Sequence, residues 1–92
     1  MRTARNRRRS RSLTRWVASF TAHFIPEAVG GYSVIVPALP GCNTQGETLA
    51  EAEANARDAI RVYLESLVAH GEPVPRETVA KQITVSVARR RV

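Results

Sequence analysis

Cysteine and histidine are nearly absent from this sequence: Cys42, His23 and His70 are all there is in 92 residues. A lone cysteine excludes an intrachain disulfide, and two histidines so far apart match no metal-ligand spacing. No metal site and no cofactor are expected. Aromatic residues make up 5% of the chain, so a core has to be assembled mainly from aliphatic side chains. No apolar run approaches the roughly 20 residues that cross a bilayer, which excludes a spanning helix. Acids are missing from the first 26 residues, which are Arg-rich as the start of a targeting segment would be. The apolar stretch behind them is broken by Ser19, Thr21 and His23 and leads to no small-residue cleavage site, so a strand explains it better than a signal core. The setting this composition favours is reducing and cytoplasmic.

What is present divides by charge. The net charge of +6 conceals seven arginines within residues 1–15, three more at 89–91, and a middle section holding all eight acids against four cations. A mildly acidic body therefore lies between basic ends. Residues 1–14, low in apolar side chains and rich in like charge, are expected to be disordered on their own. Residues 15–88 are expected to form one domain, with 89–92 a basic tail.

Within the body, residues 17–25 alternate, with Phe20, Ala22 and Phe24 on one parity, as a half-buried strand does. Pro26 stops the strand and Gly30-Gly31 supplies a turn. Residues 32–36 form a β-branched, aromatic run that predicts a second strand, antiparallel to the first. Prolines 37 and 40 break it, and a short third strand is expected at 43–45. Thr48 and Glu51 form a T-x-x-E capping box that opens a helix. Leu49, Ala52, Ala56, Ile60, Tyr63, Leu64 and Leu67 make its apolar stripe. Gly71, with Pro73 and Pro75 beyond, ends it. Residues 81–88 alternate again, with Ile83, Val85 and Val87 on one face, and predict a fourth strand. The expected fold is α+β with order β-β-β-α-β. Its one crossover helix covers one sheet face and returns the last strand parallel to the first. The other face is left for a partner.

The stretch from Gly31 to Ala52 resembles the HicB antitoxin family. It holds the turn of Pro37, Leu39, Pro40, Gly41 and Cys42, followed by Thr44, Gly46, Thr48, Glu51 and Ala52 at the helix start. The similarity extends over residues 20–75. It implies a truncated ribonuclease-H-like fold without catalysis. It also implies a partner, a small basic HicA-like toxin that cleaves mRNA and whose active site the antitoxin occludes. An acidic body suits such a partner. Relatives often add a C-terminal DNA-binding module, for which the residues after Val87 are too few, so the resemblance leaves operator binding open.

Each singled-out residue also has a plain reading. Proline and glycine chemistry alone can build the 37–46 turn, with partner contact a second role. Cys42, with no base beside it, reads as a small buried hydrophobe, and His23 as a packing or surface residue. Residues proposed to touch a toxin are Tyr32, Leu39, Glu47, Glu51 and Asp58. The arginines Arg5, Arg7, Arg8, Arg9 and Arg11 offer phosphates a sequence-independent, salt-sensitive attraction. An alternative function is therefore an orphan module that holds nucleic acid through this tail. An active ribonuclease needs several carboxylates converging on metal ions. The first and last predicted strands contain none, so no enzyme is expected. Exposed strand edges make homo-oligomerisation plausible.

Overall fold

The structure, a computed structural model, describes residues 16–90. Three short strands, β1 (His23–Pro26), β2 (Tyr32–Ile35) and β3 (Asn43–Gly46), precede one helix, α1 (Leu49–Ala69). The strands form an antiparallel sheet in the order β1-β2-β3. His23 pairs with Ile35 and Pro26 with Tyr32; on the other side Tyr32 pairs with Gly46 and Ile35 with Asn43. The period of two then separates the side chains. Val34, Phe24 and Ala22 turn toward α1 and pack with Ala52 and Ala56. Ser33 and Ile35 fall on the opposite face, which no helix among the described residues covers.

The hairpin, the third strand and the helix on one face agree with the sequence pattern. Two expectations do not. The first strand, expected over residues 17–25, enters the ladder only at His23. The register explains why. Thr21 falls opposite Pro37, which has no N–H to give, so the next hydrogen-bonded pair of the ladder cannot be completed. The fourth strand, expected at 81–88, does not form, so its parallel return beside β1 is absent and the order is β-β-β-α. Residues 76–90 are all exposed. Alternation makes a segment fit to be a strand, but a strand exists only where a neighbour takes its N–H and C=O groups.

The helix begins at Thr48, whose Oγ1 accepts from the Glu51 N–H at 3.1 Å. The Glu51 carboxylate does not complete the usual reciprocal bond. It reaches one residue further back, to the Glu47 N–H at 2.6 Å, and still lies where the helix dipole favours a negative charge. At the other end the Glu72 N–H donates to the Leu67 carbonyl at 2.8 Å and the Gly71 N–H to Val68 at 3.1 Å. This pair of bonds is the Schellman closure that a glycine after the last turn permits. Of the stripe, Ala52, Ala56 and Leu64 are buried and Ile60, Tyr63 and Leu67 pack partly. Leu49, at the first turn, is half exposed instead.

The helix comes down onto the sheet at Gly46. A Cβ there would lie 2.4 Å from the Ala52 nitrogen and 2.6 Å from its Cα. Gly41, by contrast, has a φ of +83° but open space around it. Gly46→Ala therefore forces backbone apart and is expected to cost about 3 kcal/mol or more. Gly41→Ala pays only for its left-handed conformation, about 1–2 kcal/mol. Urea unfolding of the two variants checks this order, and equal losses would contradict the close approach.

Candidate functional site

The segment that carries the family resemblance is built from two successive turns. The Leu39 N–H donates to the Val36 carbonyl at 3.0 Å, and the Cys42 N–H to Leu39 at 2.9 Å. Each turn has proline at its second position, Pro37 and Pro40, and the second has Gly41 third, as a type II turn demands. The fold of this loop points Leu39 inward. Its side chain has 0% exposure and packs with Val36, Cys42 and Leu64. The Tyr63 hydroxyl donates to the Pro40 carbonyl at 2.9 Å, tying the loop to α1. The motif is thus a structural plug. Leu39, expected also as a toxin contact, has no surface to offer, because the turns that expose Pro40 and Gly41 bury it.

Cys42 is buried as expected. Burial pushes its thiol up from the ordinary value, since a thiolate loses its hydration there. Among the described residues no three His, Cys, Asp or Glu side chains come together in a way that could hold a metal ion. No helix among them is long and apolar enough to cross a membrane.

The surface carries a distinct acidic cleft of about 580 Å³ where the β1–β2 hairpin meets the start of α1. Glu27, Tyr32, Ser33, Gln45, Glu47, Glu51 and Asn55 line it, and no lysine, arginine or histidine does. Several local bonds set its walls. The Ser33 hydroxyl donates to the Glu27 carboxylate. The Asn55 amide donates to the Gln45 carbonyl at 2.8 Å, which holds α1 against β3. Glu51 is fixed by its bond to the Glu47 N–H.

Of the residues expected to touch a partner, the structure brings Tyr32, Glu47 and Glu51 to this cleft. Asp58 lies outside it, two turns along α1, in an exposed pair with Arg61 at 3.0 Å. Such a pair adds little to stability. Thr44 and Gly46 are half-buried beneath the helix. His23 is exposed in β1. Arg5, Arg7, Arg8, Arg9 and Arg11 lie outside the described residues. Sequence reasoning missed Glu27, Asn55 and the hydroxyl of Tyr63. An acid beside a turn, an amide on a helix and an aromatic in an apolar stripe show no partner until the chain folds back.

The fold and surface define a small α+β domain with no buried polar or charged side chain among its described residues and its carboxylates gathered outside. The profile of the HicB-like antitoxin of bacterial toxin–antitoxin systems matches residues 21–89, and the chain belongs to that family. A UPF0150 protein of Thermoplasma acidophilum is 50% identical over 66 residues, 72% of this chain and 94% of its own length. A UPF0150 protein of Synechocystis is 39% identical over 72 residues, 77% and 91% of the two chains. A 14.9 kDa protein of Haemophilus phage HP1 is 40% identical over 52 residues, 56% of this chain and 39% of its own.

Two tests address the plug. Below about pH 8.5 the thiol is protonated whether the chain is folded or not, so its contribution is full there. Above that pH the unfolded thiol ionises first, and stability falls as pH rises. Denaturant unfolding between pH 7 and 10 should show a shallower alkaline decline for Cys42→Ala than for the wild type. Parallel declines would remove Cys42 from the account. Tyr63→Phe, which deletes only the bond to Pro40, should cost about 1 kcal/mol in the same assay.

Proposed function

We propose that this domain is an antitoxin that binds a small basic HicA-like toxin and occludes the site with which the toxin cleaves mRNA. The observation that carries the proposal is the cation-free acidic cleft at Glu27, Glu47 and Glu51, in a chain of an antitoxin family. Carboxylates around an aromatic side chain suit a partner presenting lysine or arginine. Their field speeds encounter and fixes orientation, while the half-buried Tyr32 supplies rigid contact area. In this reading the chain does no chemistry of its own and acts by covering its partner in the cytoplasm. The three-stranded antiparallel sheet followed by a helix supports a truncated ribonuclease-H-like ancestry.

Co-expression with the product of the adjacent open reading frame tests the proposal. A small basic protein that arrests growth alone should co-elute with this domain and lose its toxicity. Glu27→Lys with Glu47→Lys should weaken the complex at least about tenfold, more at low salt than at high. Asp58→Lys, outside the cleft, should change it little. Capture that survives both cleft reversals unchanged would move the binding surface elsewhere, and a toxin left fully active inside the complex would defeat the occlusion reading.

A further inference from the structure

The sheet is unfinished on one side, and the chain carries an unused strand. β2 occupies one edge of β1, and nothing among the described residues pairs with the other. Beside that edge an open groove of about 900 Å³ runs between residues 16–24 and the face of α1 from Glu53 to Val68. Its apolar lining includes Phe20, Phe24, Ile60 and Leu64. Along α1 that face is about 22 Å long at 1.5 Å per residue. A strand of eight residues is about 26 Å long at 3.3 Å per residue. Residues 81–88 have that length and an apolar face of matching chemistry. Ile83, Val85 and Val87 stand 81%, 72% and 78% exposed.

The path of the chain separates this segment from its own groove. Glu77 accepts a hydrogen bond from the Thr21 N–H, so by residue 77 the chain already lies abreast of Thr21. The same contact, led by Thr21, with a further bond from the Thr78 N–H, holds the exposed Glu77 carboxyl below its ordinary range. β1 and β3 run the same way and α1 runs back, so a strand following α1 lies parallel to β1. A strand advancing in that direction from Thr21 would bring residue 81 about 13 Å further on, level with Ile25, where β1 is ending. The alternating segment does not line the groove, and its apolar side chains stand exposed. Pro73 and Pro75 favour an extended lead-in that resists doubling back.

We propose that residues 81–88 of one copy fill the groove of a second copy, adding a fourth strand beside its β1 and packing Ile83, Val85 and Val87 under its α1, with the exchange reciprocal. A two-fold dimer of this kind pairs the free β1 edge and covers the apolar segment in one step, without a new surface on either chain. The uncovered sheet face and the acidic cleft stay outside the exchanged strand. The inference stands apart from the toxin-binding reading.

Sedimentation of the full chain together with isotope-filtered NMR on a mixture of labelled and unlabelled chains tests the exchange. The expected result is a dimer with intermolecular contacts from the Ile83 and Val85 methyl groups to the Phe20 and Phe24 rings. Ile83→Asn with Val85→Asn, which would put amide groups where Phe20, Phe24 and Ile60 offer no hydrogen-bond partner, should weaken dimerisation about a hundredfold while the helical circular dichroism stays unchanged. A monomer showing the same contacts within one chain would overturn the proposal, because the strand then closes in cis. A dimer whose contacts lie elsewhere, with 81–88 exchanging freely with solvent, would overturn it as well.

Discussion

Gly46 meeting the first turn of α1 is the contact on which the rest of the domain depends. The last residue of β3 lies so near the backbone of Ala52 that even a methyl group has no place between them. That approach fixes how low the helix rides on the sheet, and the neighbouring side chains follow from it. Where helix and strand are closest, the helix supplies Ala52 and Ala56, small enough to sit on Val34. Farther along α1, the larger Leu64 and Leu67 pack together with Leu39. The core is thus a wedge, with side-chain volume growing from the Gly46 end toward the loop that holds Leu39.

The loop between β2 and β3 closes the wide end of that wedge. It is irregular in backbone, yet hydrogen bonds hold it in shape: two turns, a bond between Val36 and Cys42, and a tether from Tyr63 to Pro40. A short sheet with four-residue strands cannot surround a core by itself, so a rigid connection has to serve as wall. Pro37 and Pro40 limit the unfolded conformations of the loop, and the buried Leu39 side chain anchors it. The residues most visible as a family signature are therefore inside or in turns, while the acidic cleft is made by Glu27, Glu47 and Glu51 elsewhere on the surface.

One side of the domain remains without its strand. With β1 cut short by Pro37 across the ladder, the free edge and the groove under α1 expose apolar surface that a domain of this size has little means to compensate. The same chain carries an alternating segment whose apolar side chains stand exposed. The proposed exchange between two copies would answer both at once, and the acidic cleft lies outside it.

Sequence alone determined the local choices: the hairpin, the third strand, the extent of α1 with its cap and its glycine stop, the buried state of Cys42, and the family through its turn motif. Each of these rests on residues within a few positions of one another, where backbone angles, capping groups and period dictate the result. The tertiary structure alone decided that Leu39 is core, that Leu49 stays half outside, and that Glu27 joins Glu47 and Glu51 at one cleft. It also decided that the alternation at 81–88 yields no strand within the chain, against the pattern. The physical reason is common to all of them: periodicity states which face of a segment is apolar, but a ladder, a buried side chain or a shared cleft needs a second segment at the right distance, and only the path of the folded chain supplies it.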